Sequence, residues 1–382
     1  MSRSSRSIDV LLSEYKDLNK LTDRLSNTEV TSILFGLFGE VGSVMSTAKK
    51  LDREKEAFSS YSDDAREELG DTLWYIFALC RRLKVHATDI FSEFIDDELM
   101  EIPASNSDES TSATSDSDKS NSVLQSSLLR LGEHSAHLLG VNKDTDKKTA
   151  ENLLRKFIQE YVETIKNSQV SFIDIIEENM AKIRSRFVPL PFEDLNTFDD
   201  ESDETEQLPH KFEIEITQDK SGRVDLRWNG VVIGNSLSDN IEESDYYRFH
   251  DVFHLAYAAI LHWSPTFRAL IKHKRKNTGN LDETQDSGRP RLIEEGLSAY
   301  IFSYSKDLNF FEGHEDVSFN LLKTIQNFVR GYEVDKCPLY LWEKAILQGF
   351  EVFRQVRDNG GGIVIGNRDT RTLCYKLLEK QP

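Results

Sequence analysis

A mainly α protein whose second half becomes α+β is the fold class that the sequence predicts, on three observations. Apolar residues recur at three- and four-residue steps over 8–25, 29–51 and 62–83, the period of amphipathic helices. Two acidic, apolar-poor runs, 105–121 and 193–207, then interrupt the chain. Past the second run, "KFEIEITQD", "RVDLRW" and "VVIGNSL" cluster β-branched residues between turn residues, which reads as strands. The resulting layout is a helical domain over 1–190, an acidic linker over 191–209 and an α+β domain over 210–382. At 382 residues the chain is long enough for two ordinary cores.

The elements follow in order. The helix over 62–83 opens on Ser62 and Asp63 as caps and closes on Arg81 and Arg82, charges that suit the helix dipole at each end. A short helix is expected over 87–98. "SNSDESTSATSDSDKSN" has too little apolar surface to offset the entropy of ordering, so about 101–121 reads as a disordered loop. Helical periodicity resumes over 122–139, 148–167 and 171–187. In the second half, Asn229-Gly230 between two apolar runs signals a two-residue hairpin. Helices are expected over roughly 243–262, 265–276, 290–305, 317–330 and 339–357, and "GGGIVIGNRDTRTLCYKL" reads as two closing strands.

Charge and cysteine content narrow the function classes. The formal charge of -19 argues against general nucleic-acid or anionic-membrane binding, which needs clustered Lys and Arg. Three widely spaced cysteines form neither a disulfide framework nor a zinc-thiolate pattern, as expected in a reducing compartment. The first residues lack the apolar core of a signal peptide and no long apolar run follows, so a soluble, cytoplasmic protein with no membrane contact is expected.

The chemistry concentrates in carboxylates. In "REELGD", Glu68 and Asp71 lie three apart and share a helix face. "GLFGEVGSVMSTAKK" presents Glu40 on the preceding helix, with Ser43 one turn on. Antiparallel packing of the two helices would gather Glu40, Ser43, Glu68 and Asp71. Acids this closely flanked by "ILFGLF" and "LWYIFALC" repel one another unless a cation joins them. Hard oxygen donors suit Mg²⁺ or Mn²⁺.

"FGLFGEVGSVMSTAKK" followed by "EELGDTLWYIFALCRRL" resembles the MazG-like, all-α nucleoside triphosphate pyrophosphatase superfamily, whose pattern is ExxE, a spacer, then ExxD. The resemblance covers about 8–187 and makes 99–169 look like an insertion. It implies a helical bundle that binds Mg²⁺ at Glu40, Ser43, Glu68 and Asp71, and hydrolysis of a nucleoside triphosphate to monophosphate and pyrophosphate. It further implies that Asn179, Lys182 and Arg186 of "IIEENMAKIRSRF", together with Lys50, contact substrate, and that the protein is a homo-oligomer. Ser43 departs from the pattern, since a neutral hydroxyl replaces an acid. Two alternatives therefore stay open: a weakened, nucleotide-sensing module, or a metal-dependent hydrolase centred in the second domain.

That second candidate rests on "DYYRFHDVFHLAYAAILHW", which puts His250 and His254 four apart on one helical face with Asp251 beside them. "RLIEEGLSAYIFSYS" adds Glu294 and Glu295. An HxxxH pair plus a carboxylate offers a transition-metal site. No glutamate sits between the histidines in the HExxH manner, so a zinc-protease reading fails. The basic stretch from Lys272 to Arg291 is expected to bind a phosphate or to pair with the acidic runs. The second half also resembles a region often found behind MazG-like domains, an association that names no chemistry.

Overall fold

The computed structural model describes residues 7–25, 30–58, 60–96, 99 and 117–378. It divides into two compact units at 188/189. Among the described residues the first is all helical: α1 Ile8–Thr22, α2 Thr31–Glu54, α3 Tyr61–Arg82, α4 Ala87–Ser92, α5 Ser117–Leu138, α6 Lys147–Ser168 and α7 Phe172–Phe187. Side-chain caps start several of them: Ser7 accepts from the Val10 amide, Asp146 from Thr149 and Ser171 from Asp174. Most of the expected loop, 101–116, lies outside the described residues, and from 117 the chain is already helical. The helix expected over 87–98 ends at Ser92.

α2 and α3 run antiparallel. Gly36 faces Tyr75 while Glu40 meets Glu68 and Asp71, so the register descends along one helix as it climbs the other. The approach at Gly36 is close enough that an added Cβ would lie 2.1 Å from the Tyr75 ring, so a larger residue there requires that ring to move. The α5–α6 pair, expected as an insertion, is not an appendage of the bundle. Leu124, Leu128, Leu131, Leu154, Phe157 and Tyr161 are buried in the same core as α2 and α3, and the Tyr161 hydroxyl donates to the Leu69 carbonyl at 2.8 Å.

The second unit holds one antiparallel sheet, order β3-β2-β1-β4-β5, from β1 Lys211–Gln218, β2 Val224–Trp228, β3 Val231–Leu237, β4 Gly361–Asn367 and β5 Thr372–Lys376. Phe212, Ile214 and Ile216 alternate inward along β1, as a sheet with one buried face requires. The β2–β3 turn has positive φ at both Asn229 (50°) and Gly230 (76°), the two-residue geometry that matches strand twist. The helices are α8 Asp251–Ala256, which continues as a π turn over Tyr257–Leu261, then α9 Pro265–Ile271, α10 Gly279–Gln285, α11 Gly288–Lys306, α12 Phe319–Val329 and α13 Leu339–Asn359. Residues 243–246 are not helical, so the first of these begins later than the periodicity suggested.

The linker expected over 191–209 is corrected: this stretch folds into the second unit. Asp199 is buried and accepts from Arg268 at 2.5 Å and from Arg368 at 2.6 Å, and Leu208 is fully buried. Arg275, from the basic stretch, is likewise buried against Asp286 and Glu333, both at 2.7 Å. Composition misled because Asp199, Asp203 and Glu206 find their partners far along the chain. Among the described residues, no helix is long and apolar enough to cross a membrane.

Candidate functional site

Carboxylate oxygens of Glu40, Glu68 and Asp71 lie within 4.8 Å of one another, all three residues half-buried. α2 supplies the first and α3 the other two. Burial, then the Asp71 and Glu68 charges, pushes the Glu40 carboxyl up to about 7. The same crowding of negative charge that raises Glu40 favours a proton or a cation at this point. Ser43 sits one turn beyond Glu40 on α2, also half-buried.

α7 completes the arrangement from the other side. Lys182 Nζ contacts Asp71 at 2.6 Å and Glu67 at 3.2 Å. The Asn179 amide donates to Asp71 at 2.9 Å while its carbonyl oxygen accepts from the Tyr15 hydroxyl at 2.6 Å. Burial, followed by the Tyr161 and Asp71 charges, raises Tyr15 well above the usual tyrosine range, so it remains a donor. This chain of bonds fixes which end of Asn179 faces Asp71. Gly70 makes it possible, because a Cβ there would fall 2.9 Å from the Asn179 side chain.

Of the residues expected to contact substrate, Lys182 and Asn179 therefore reach the acid cluster. Arg186 shares their face of α7, and its guanidinium lies 5.1 Å from the Phe187 ring centre. Lys50 stands apart: it is ten residues past Glu40, about 15 Å along α2, with its ammonium 5.8 Å from the Phe58 ring centre. Sequence reasoning missed Tyr15 and Tyr161, which hold the backbone and side chains behind the acids. Nothing local distinguishes them from core aromatics.

In the second unit, His250, His254 and Glu295 also offer donor atoms within 4.8 Å of one another. Glu294 does not join them. It is fully buried and accepts from His254 Nδ1 at 2.9 Å, the Ser264 hydroxyl at 2.6 Å and the Thr266 amide at 2.7 Å. Adjacent residues on a helix point about 100° apart, so of the two glutamates only one faces the histidine Nε2 atoms. Burial opposes a charge on His254, but Glu294 and then Glu295 outweigh it and raise the imidazole well above its ordinary range.

Comparison with known proteins bears on this second unit. Residues 193–379 match the family model of the MazG C-terminal domain. That segment is a MazG-associated domain. The match starts inside the acidic run and so includes the buried Asp199. A stretch of 55 residues, 14% of the chain, is 36% identical to the gene 37 protein of Mycobacterium phage L5 and covers 48% of it. The chain thus spans about half the length of that relative. No solved structure matches.

Proposed function

We propose that the helical unit is a Mg²⁺- or Mn²⁺-dependent nucleoside triphosphate pyrophosphohydrolase, releasing monophosphate and pyrophosphate. The observation that carries this reading is the convergence of Glu40, Glu68 and Asp71 from two helices onto one point. The MazG-associated second unit supports a nucleotide-related role. The donor set fits the cation, because three carboxylates offer only hard oxygens, and Ser43 adds a neutral one. When bound, the ion would neutralise triphosphate charge and lower the pKa of an attacking water.

The chain's own residues prepare that site. Asn179, held by Tyr15, orients Asp71. Lys182 balances Asp71 and Glu67, and on nucleotide binding it exchanges those partners for phosphate oxygens, with Arg186 one turn away. Buried Leu37, Val41, Leu69 and Leu73 behind the acids keep water off their far side.

The test is pyrophosphate release across standard and modified triphosphates with Mg²⁺ or Mn²⁺. Glu68→Gln and Asp71→Asn are expected to lose more than the ~10–100-fold that outer-shell changes cost. Absence of release from every triphosphate by metal-loaded wild type overturns the assignment. A second reading, nucleotide sensing without turnover, is favoured by Ser43 and by the Lys182–Asp71 pair. Calorimetric nucleotide binding with no pyrophosphate released would select it.

A further inference from the structure

We propose that the second unit binds a divalent transition ion, Zn²⁺ by preference, through His250 Nε2, His254 Nε2 and the Glu295 carboxylate. The site is separate in chemistry and residues from the acid cluster of the first unit, and nothing in the proposed pyrophosphohydrolase uses it.

Geometry carries the inference. Glu295 Oε2 lies 3.3 Å from His254 Nε2 and 3.6 Å from His250 Nε2. Donors about 2.0–2.1 Å from a common tetrahedral ion stand about 3.3–3.4 Å from one another. The two edges that meet at Glu295 are therefore already close to those of a coordination sphere, and the two histidine donors lie within 4.8 Å of each other. Asp251 Oδ1 stands 3.9 Å and 4.0 Å from the same two nitrogens and supplies a further acid at the edge.

The outward-facing ring atoms give an independent argument. His250 Nδ1 sits 2.9 Å from the Tyr247 carbonyl, which can only accept, so in the neutral ring that nitrogen carries the hydrogen and Nε2 keeps the lone pair that a metal takes. His254 Nδ1 sits 2.9 Å from Glu294, itself anchored by Ser264 and Thr266. Both imidazoles are thus oriented by oxygens on their far nitrogens, the outer-shell pattern that metal-ligating histidines almost always show. Stacking fixes one ring further: Tyr247 lies parallel to His250, with centres 4.3 Å apart. Glu294 acts as a positioning residue and not as a ligand.

Two features choose the class of ion. Two imidazoles with one or two carboxylates suit Zn²⁺ and its neighbours better than Mg²⁺, which takes oxygen donors. His254 is buried, but the Glu295 side chain is 38% exposed, so one side of the site opens to solvent. An ion here keeps a coordination position for water, as catalytic sites do and closed structural sites do not.

The experiment uses the full chain carrying Glu68→Gln and Asp71→Asn, which removes the carboxylate cluster as a competing site. After stripping with a chelator, the protein is dialysed against Zn²⁺ or Co²⁺. Elemental analysis and the visible spectrum of the Co²⁺ form are then read. About one ion per chain is expected, with Co²⁺ bands of low-coordinate, nitrogen-ligated metal. Adding His250→Ala or Glu295→Gln should abolish the bands, with the thermal melt of the metal-free protein confirming that each variant is folded. Glu294→Gln should keep the bands and weaken affinity ~10–100-fold, as an outer-shell change does. Failure of the double variant to retain stoichiometric metal overturns the proposal, and so does unchanged affinity in folded His250→Ala or Glu295→Gln. Pyrophosphate release by the otherwise wild-type chain is indifferent to these outcomes, so the two assignments stand or fall separately.

Discussion

The two clusters of this molecule solve the same electrostatic problem in opposite ways. In the first unit, Glu40, Glu68 and Asp71 face one another half-buried, and the compensation is partial: a raised Glu40 carboxyl and one lysine from α7. In the second, a buried histidine lies between a fully buried Glu294 and a half-exposed Glu295, and the compensation is built into the core. A cluster left short of positive charge is suited to recruiting a hard cation with its phosphate ligands. A cluster whose imidazoles are already oriented is suited to holding a softer ion.

Removing one cation from each cluster separates them most sharply. His254→Ala leaves Glu294 buried without its charged partner and is expected to cost about 3–5 kcal/mol, read by denaturant unfolding. Lys182→Ala breaks a pair whose side chains are 21% and 26% exposed, and should cost under about 1 kcal/mol. Equal costs would refute the contrast.

Next in size is Asn179→Ala, which leaves the buried Tyr15 hydroxyl only the longer Gly70 carbonyl at 3.4 Å in place of an acceptor at 2.6 Å, and removes one of the bonds that hold Asp71. A loss of about 1–3 kcal/mol is expected in thermal or chemical melts, together with weaker Mg²⁺ binding. Stability unchanged at Asn179→Ala would mean that Asp71 is held by Lys182 alone.

The pH response is smaller and has a definite sign. With its pKa raised from 4.5 to about 7, Glu40 binds a proton more tightly folded than unfolded. Its contribution is fully present below about pH 4.5 and is lost as pH rises through 7. In the presence of a chelator, Glu40→Gln should therefore stabilise the protein at pH 8 relative to wild type and not at pH 4. The difference is expected to be about 1–2 kcal/mol, after discounting the full shift for partial exposure. His262 runs the other way. Burial, then Arg368 and Arg371, lowers it to about 3, so this part of the second unit loses stability as pH falls below 6.5. Opposite slopes for the two variants Glu40→Gln and His262→Gln, measured by melts across pH, are the expected outcome.

The smallest effect is expected at Ser43→Glu, which restores a fourth acid to the first cluster. Mg²⁺ affinity and turnover should rise by less than Asp71→Asn lowers them, as measured by titration calorimetry and pyrophosphate release. No change would show that the serine is not what limits metal binding.

Much of this was legible in particular residues. The one-turn spacing of Glu68 and Asp71 inside an apolar run, and the Glu40 helix before it, located the first cluster because helical period is a local property. Asn229-Gly230 announced its hairpin for the same reason. The acidic run at 193–207 was misread, because Asp199 finds Arg268 and Arg368 only 69 and 169 residues further on. Tyr15 gives no such local signal, its hydroxyl partner lying 164 residues away.

Local period and composition set which side chains could carry charge to each helix face, and so which residue types each cluster contains. Which way a given acid faces, and what it meets there, depends on packing that no local stretch encodes. Glu294 and Glu295 are neighbours of one kind, yet one is sealed against Ser264 and Thr266 and the other meets both imidazoles. Helical geometry turns adjacent residues about 100° apart, and what lies in each direction depends on packing between segments distant in the chain.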